Sequence, residues 1–388
     1  MASPLDVINP ITISNYGKVA WNGLAENFPI CNLLTKKGNI RKNVGGTSLT
    51  WPLEAGRHDV YVVDDYQDVT ALYTPRKRWA QPTIAWGETG AFRSISKGEL
   101  RQNSGAQRLV DFASVEIPAM YRDIAVATNG IFWQFLNQNG VSYTGTGKPL
   151  FGLPSVFTGN TAIVWSSNTK TGTIGNTSYA GLTCVLSGLA STVDGAESDA
   201  WTPSAVNTTS TAFGATTPTF AGNFFAVMSD SISRSSRFSG SDTSLQPDCT
   251  LLTRQMYVDG QTAIAGKQSF LLTGAVKKAA QFGIGTDTMN GLLHDGIPMY
   301  WDLNLPANTG YVLNFSKIYM DTLPLLSFSN DKTTLNDGGP VDDNVSDPGM
   351  FETEVRFNDG RRAVTVSVTY PGQFRIEPRY QTLLFAGA

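Results

Sequence analysis

The chain contains two histidines, His58 and His294, and these limit the catalytic chemistry that the sequence can support. HExxH zinc chemistry needs two imidazoles four residues apart on one helix, and neither histidine has such a partner. A Ser-His-Asp triad could use either histidine, yet no GxSxG sequence marks a nucleophilic serine. We therefore expect both histidines to be structural or surface residues, and the sequence predicts no catalytic residue and no enzymatic activity.

Two loops come close to ligand-binding motifs without completing them. A phosphate-binding loop ending at Gly147-Lys148 would need glycine in place of Ser142 and serine or threonine in place of Pro149. The acidic loop that begins at Asp342 has Asp347 where a calcium loop needs glycine, and Thr353 where it needs glutamate. The sequence therefore predicts neither a cofactor nor a bound metal.

The three cysteines, Cys31, Cys184 and Cys249, are odd in number and far apart. Such spacing favours neither a disulfide framework nor a thiolate metal site. The sequence has no secretory signal, and no apolar stretch approaches the roughly 20 residues that span a bilayer. We expect the protein to fold in a reducing cytosol without contacting a membrane.

Charge is sparse, since only 16% of the residues are charged, compared with roughly 25% in ordinary soluble domains. A surface of this kind is easier to understand if subunits bury much of it against one another. The net charge is −3, and the one tight basic cluster is Arg76-Lys77-Arg78, followed by Trp79. Proteins that grip DNA carry a basic face, so sequence-specific nucleic-acid recognition is not expected.

One long helix must span much of the molecule. Ser104 and Gln107 have the spacing of a capping box, and apolar residues then recur every three or four positions as far as Phe135. Pro118 removes one hydrogen bond and should bend this helix, Gly130 should weaken it further, and Asn139-Gly140 follow its expected end. We call it the spine helix.

A polar excursion precedes the spine helix. Strand-like runs at Thr47–Trp51 and Trp79–Ile95 flank a turn-rich middle, which predicts a long two-stranded ribbon with little apolar surface of its own. Such a ribbon is marginally stable unless it packs on something else. It could be an ordinary surface hairpin or an arm that lies on a neighbouring subunit.

The remainder reads as mixed helix and strand. Apolar spacing predicts a helix from Phe220 to Ile232, and Thr253 could cap a second helix over Arg254–Ala265. We expect strands at Cys249–Leu252, Gly296–Trp301, Ala363–Val368, Phe374–Ile376 and Leu383–Phe385. A turn-rich excursion is expected at Asp302–Gly310. Two further segments, the Thr/Ser/Gly-rich Thr161–Thr219 and the polar Asn330–Gly349, have no assigned role.

The order of these elements resembles that of the HK97-like major capsid proteins of tailed bacteriophages. Several stretches of sequence also resemble one branch of that family: Tyr73–Trp79, Gln81–Ala85, Glu99–Gly105, Gly152–Pro154, Pro247–Thr253, His294–Asp302 and Gly310–Asn314. These matches are spread over roughly residues 45–385, and their order carries the resemblance.

The resemblance implies an α+β fold with an N-terminal arm (1–42), an extended β-hairpin arm (43–98), a spine helix and first part of a peripheral domain (99–149), a central axial α/β domain (150–325) with a possible insertion at 161–219, and a returning peripheral part with closing strands (326–388). It implies self-assembly into pentamers and hexamers of an icosahedral or prolate shell. The shell would enclose double-stranded DNA without sequence-specific binding, and assembly would take place in the host bacterial cytoplasm.

The expected partners, besides other copies of the chain, are a separate scaffolding protein, a portal and, as an optional component, a decoration protein. Arg76, Lys77, Arg78 and Trp79 are hypothesised to contact a neighbouring subunit, and Pro118 and Gly130 to let the spine helix bend. Two alternatives stay open: an encapsulin-type compartment shell that packages enzymes, and a non-shell phage protein such as a β-rich glycan-binding or tail protein.

Overall fold

A run of four buried residues, Cys249–Leu252, lies near the middle of the main sheet in a computed structural model of the chain. The structure describes residues 30, 33–34, 37–41, 44–54, 79–96, 119–120, 122–124, 126–133, 150–158, 162–166, 169–174, 178–183, 201–214, 218–237, 242, 245–265, 292–323, 352–358 and 363–386. The predictions at Arg76-Lys77-Arg78, Pro118, the Ser104 capping box and the 330–349 loop lie outside the described residues.

The main sheet has eight strands in the described part of the chain: β7 Ala162–Ser166, β8 Thr169–Ile174, β11 Ser204–Asn207, β12 Cys249–Leu252, β13 Leu292–His294, β14 Ile297–Trp301, β15 Thr309–Leu313 and β19 Thr382–Phe385. Their order across the sheet is β13-β14-β12-β15-β19-β11-β7-β8. Parallel pairs join β12 to β14 and β11 to both β19 and β7, and the other pairs are antiparallel. The 161–219 segment therefore supplies three strands of this sheet.

Besides the described part of the spine helix, three α-helices lie in the described region from residue 150 onwards: α1 Pro154–Thr158, α2 Phe220–Ser235 and α3 Arg254–Ala265. Helix α2 packs over β11, β15 and β19, and α3 over β12 and β14. Since helices cover one face and aromatic residues the other, the central strands are buried on both sides. In β12, for example, Leu252 faces the α2–α3 layer while Leu251 joins the larger core on the opposite face.

The sequence predicted α2 and α3 correctly, and the bounds of α3 are those expected. The proposed cap of α3 is wrong, because the Thr253 hydroxyl is buried without a hydrogen-bond partner among the described residues. The Thr253 carbonyl instead accepts the first intrahelical bond from Tyr257 N, at 2.9 Å. The true side-chain cap belongs to α2, where Thr219 Oγ1 accepts from Gly222 N at 3.2 Å.

A second sheet of five strands is built around one long strand, β18. Its members are β1 Ile40–Arg41, β6 Gly87–Ser96, β16 Ile318–Thr322, β17 Glu352–Asn358 and β18 Ala363–Ile376. Gly372 pairs with both Gly87 and Thr322, so β6 lies on one side of β18, with β16 and β17 on the other. The two closing runs predicted around Val366 and Phe374 are therefore one continuous 14-residue strand.

The two sheets are joined where the chain passes twice between them. Short 3₁₀ turns at Phe315–Lys317 and Pro378–Tyr380 carry it from β15 to β16 and from β18 to β19. Between these crossings, Asn314 N donates to Gln381 Oε1 at 3.0 Å, and Gln381 Nε2 returns a bond to Asn314 O at 3.2 Å. Asp248 adds a bond from Phe315 N at 3.0 Å, so both crossings are held by buried polar contacts.

The base of the predicted ribbon consists of two short antiparallel pairs. Strand β2 (Leu49–Thr50) pairs with β5 (Thr83–Ile84), and β3 (Leu53–Glu54) with β4 (Trp79–Ala80). Pro52 and Pro82 both lie in the gap between these two pairs, where the ladder is interrupted because proline has no N–H to donate. A further small pair, β9 (Ser178–Tyr179) with β10 (Leu182–Thr183), lies beside it, and Thr83 N donates to Ala180 O at 2.8 Å.

Helical residues at 119–120, 122–124 and 126–132 are the described part of the spine helix. Trp133 N donates to Gly130 O at 3.2 Å, a turn-type bond that ends this described helical run. Gly130 therefore lies in the last turn of the described run. No described helix is long and apolar enough to cross a membrane.

Candidate functional site

The ribbon base carries two surfaces of opposite character. Every second residue, Leu49, Trp51 and Leu53 on one strand run and Ala80, Ile84 and Trp86 on the other, is buried in the main core. The expectation of a ribbon with little apolar surface is therefore wrong for its base, and the period-two alternation was the signal that could have revealed this. The opposite face is open, and Trp79 on it is 55% exposed.

The base is attached to both sheets. Trp51 packs on Trp201 with ring centroids 6.1 Å apart, and Trp201 is fully buried beneath the eight-stranded sheet. From the five-stranded sheet, Gln373 Nε2 donates to Ala85 O at 2.9 Å. Buried contacts to both sheets therefore hold the described base of the ribbon in place.

Strand β6 continues from this base and presents a second exposed aromatic residue. All ten of its residues pair with β18, and Phe92 is 69% exposed. Isolated exposed apolar residues are common, but large aromatic residues are enriched in protein interfaces. Trp79 and Phe92 are thus the exposed aromatic residues along one continuous stretch, 79–96.

A partly buried charged cluster lies where β1 joins the five-stranded sheet. The Tyr319 ring lies between the guanidinium groups of Arg41 and Arg375, at 4.2 and 4.0 Å from its centroid. Asp321 is 1% exposed, and its carboxylate lies 3.8 Å from Arg41 Nε and 3.7 Å from Arg375 Nε. Sequence reasoning missed this cluster, because its members come from three strands that meet only in the fold.

The Asp321 carboxylate accepts no hydrogen bond within the described part of the chain. Burial therefore raises its pKa to about 6, and the nearby Arg41 charge offsets part of that rise. Near neutral pH the group holds a charge that its surroundings solvate poorly. We expect the stability of the region around β1 to depend on pH.

The spine helix meets the main sheet through a close backbone approach. Leu153 N donates to Phe132 O at 2.8 Å, and the Trp133 indole donates to Asp302 Oδ2 at 3.2 Å. Gly152 lies so close to the helix end that an added Cβ would be 2.5 Å from Phe132 O and nearer still to Ile131 O. Position 152, in the stretch Gly152–Pro154 that resembles the capsid family, therefore holds a glycine for a steric reason.

One histidine has potential catalytic partners. Ser229 Oγ lies 2.9 Å from His294 Nε2 and 3.1 Å from Asp295 Oδ2. In a catalytic triad the serine and the carboxylate bind opposite ring nitrogens, whereas here both contact Nε2, with Asp295 Oδ2 at 3.4 Å. The arrangement is not that of an acyl-transfer triad. Across the described residues, no three His, Cys, Asp or Glu side chains gather as metal ligands.

Cys249 is the one cysteine within the described residues, and it is buried as a free thiol. Burial raises its pKa well above the usual range, and the neighbouring Asp248 carboxylate raises it further. A thiol in this state is a poor nucleophile.

No protein-family model and no curated protein matches the sequence. Among solved structures, a chain in the capsid asymmetric unit of cyanophage A-1(L) is similar, with a TM-score of 0.53 and 14% identity, covering 91% of this chain and 92% of that one. The fold is that of a phage capsid chain. Chains from the capsid of a native GTA particle (12% identity, covering 92% of this chain and 91% of that one) and from the capsid of Myoviridae phage XM1 (10% identity, covering 91% of each) align with TM-scores of 0.46.

The capsid fold is consistent with the HK97-like architecture that the sequence resemblance implied. The similarity extends over nearly the whole of both chains, so it concerns the complete mixed α/β arrangement and not one sheet alone. At 14% identity the two chains share the order and packing of their elements. The order of elements is also the feature that carried the resemblance seen in the sequence.

Proposed function

We propose that this protein is the major capsid protein of a tailed phage and assembles into pentamers and hexamers of a closed icosahedral or prolate shell. The observation that carries the proposal is the fold match over 91% of this chain and 92% of a cyanophage capsid chain. The protein acts as a building block, and it has no catalytic role. Its place is the virion, after assembly in the host cytoplasm.

The divisions proposed from sequence fit this function. Residues 43–98 form the extended arm: its base and strand β6 pack within their own subunit, and its outer part would lie on a neighbouring subunit, while 1–42 form an N-terminal arm. Residues 99–149 and 326–388 form the peripheral domain with the spine helix and the closing strands, of which β19 pairs into the eight-stranded sheet, and 150–325 form the axial domain around the shell's rings. A ribbon base held by buried contacts, with Trp79 on its open face, supports this assignment, because an arm must leave its own subunit in a fixed direction.

The subunit contact is proposed to involve Arg76, Lys77, Arg78 and Trp79. Exposed ion pairs contribute only about 0–1 kcal/mol each, so the basic residues would orient the contact while the indole supplies buried apolar area. Repetition of this contact around each ring would make a modest interaction decisive for the shell. Separate scaffolding and portal proteins would direct assembly, a decoration protein could join it, and DNA would be enclosed without sequence-specific contacts.

Assembly-defective variants test this function. Trp79→Ala and the triple variant Arg76→Ala/Lys77→Ala/Arg78→Ala should lower the yield of sedimentable particles at least tenfold, with the melting temperature of the unassembled chain unchanged. Thr50→Ala, an exposed change on the opposite strand of the base, is the matched control and should assemble normally. Normal particle yield from both variants would contradict the proposed contact, and particles filled with enzyme cargo instead of DNA would favour the encapsulin-type alternative.

A further inference from the structure

Three potential ligand atoms converge at the surface between α2 and the turn that joins β13 to β14. They are Ser229 Oγ, His294 Nε2 and Asp295 Oδ2, and they lie 2.9, 3.1 and 3.4 Å from one another. One serine hydroxyl contacts both of the other groups, so hydrogen bonds hold the imidazole nitrogen and the carboxylate oxygen towards the same point. The same convergence would let the three atoms act as ligands of one ion.

These separations are those of neighbouring ligands around one metal ion. With metal–ligand distances of about 2.1 Å, adjacent ligands lie about 3.0 Å apart in an octahedral site and about 3.4 Å apart in a tetrahedral one. We propose that Ser229, His294 and Asp295 form a binding site for a divalent transition metal such as Zn²⁺ or Co²⁺. Imidazole nitrogen and carboxylate oxygen are ligands that these ions take in proteins, and the serine hydroxyl would add a neutral third donor.

The site is held in place by its surroundings. The rings of Phe224 and Phe225 lie against the imidazole, with centroids 5.9 and 5.8 Å away. Asp295 and Gly296 form the tight turn between the strands, with φ of +48° and +82°, and this turn fixes the carboxylate beside the imidazole. A ligand set with little freedom to lose binds a metal more tightly than a flexible one.

The exposure of the site also suits a metal. Coordination would use the neutral imidazole, with its ring proton on Nδ1 and the Nε2 lone pair directed at the ion. Asp295 is exposed, which leaves the outer positions of the metal open to water or to a donor from another molecule.

Titration of the purified full-length chain with Co²⁺, followed by visible absorption, and with Zn²⁺, followed by calorimetry, tests the site. One ion should bind per chain. His294→Gln and Asp295→Asn should each weaken binding at least tenfold, and Ser229→Ala about threefold. Asparagine tolerates the left-handed turn, so Asp295→Asn removes the carboxylate charge while keeping the backbone.

The control is His58→Asn, which removes the other histidine and should leave the affinity unchanged. Thermal melting checks that each variant is folded, and Asp295→Asn keeps the test decisive if His294→Gln is not. No saturable binding by 1 mM metal, unchanged affinity in the folded variants, or loss of binding in His58→Asn would each overturn the proposal. None of these results depends on whether the chain forms shells.

Discussion

At the scale of single residues, Gly152 packs directly against the backbone carbonyls of Ile131 and Phe132, at the end of the described helical run. A side chain at position 152 would collide with both oxygens. Gly152→Ala should destabilise the protein by about 2–4 kcal/mol, because backbone carbonyls cannot move aside as a flexible side chain can. Gly130→Ala is the matched control, since its new Cβ would meet no atom within 4 Å, and a helical alanine should add up to about 1 kcal/mol. Urea unfolding measures both, and equal effects would refute the steric account.

Asp321 gives a residue-scale prediction about pH. Its folded pKa of about 6 lies above the ordinary value of 3.8, so between these values the folded protein holds a proton that the unfolded chain has released. The contribution of Asp321 to stability is therefore greatest at low pH and is lost as pH rises towards 6. Relative to Asp321→Asn, the wild type should lose about 1–3 kcal/mol between pH 4.5 and pH 7.

Urea midpoints of both proteins at the two pH values provide the measurement. Each protein serves as its own reference, so any loss of contacts with Arg41 and Arg375 in the variant cancels from the comparison. The opposite trend, a wild type that gains on the variant as pH rises, would mean that the ion pairs lower the carboxyl pKa and outweigh burial.

The lack of familiar catalytic motifs could be predicted from the sequence, whereas the contacts of His294 and Asp321 could not. The sequence indicated that His58 and His294 lack catalytic partners of known type, yet it could not place Ser229 beside His294, 65 positions away. Asp321, Arg41 and Arg375 were likewise unremarkable in sequence. Long-range contacts of this kind depend on strand register, which composition and spacing do not specify.

At the scale of secondary-structure elements, α2 illustrates how a local signal fixes a boundary. Thr219 accepts the Gly222 amide, and Phe220, Phe224 and Met228 follow on the buried face. Thr219→Ala should destabilise the protein by about 1 kcal/mol, while Thr219→Ser retains a hydroxyl cap and should change stability little. Thermal unfolding of the two variants is the measurement, and identical losses would show that the hydroxyl does not contribute.

Elements with a strong local pattern were predicted well. The apolar spacing of α2, the exact span of α3 and the apolar run of β12 can each be inferred from a short window of sequence. The cap predicted at Thr253 is wrong because its buried hydroxyl makes no hydrogen bond among the described residues, which the residue type alone does not reveal. The 161–219 segment carries too few apolar residues to suggest that β7, β8 and β11 belong to the eight-stranded sheet.

At the scale of the whole molecule, the proposed shell requires one chain to adapt to five-fold and six-fold rings, and such closed rings tolerate only small rotations between subunits. Pro118 and Gly130 are proposed as the points where the spine helix adjusts. We expect the curvature of residues 104–138 to differ by about 5° or more between unlike subunits of one shell. Comparing these subunits in a reconstruction measures this, and identical curvature in all of them would remove the bending role.

The order of elements predicted a capsid fold, and the sequence alone could not establish it. Each matching stretch was short, and at 14% identity to a solved capsid chain few side chains are shared. What the two chains have in common is a set of packed layers, which many sequences can satisfy if the pattern of buried positions is kept.

Negative-stain electron microscopy of the chain, produced alone and then with its neighbouring genes, shows whether the protein builds a shell. We predict capsomer rings or closed shells of uniform diameter in at least one of these preparations, and DNA in shells recovered from a productive infection. Monomers or small discrete oligomers in both preparations would contradict the claim and would favour a non-shell phage protein.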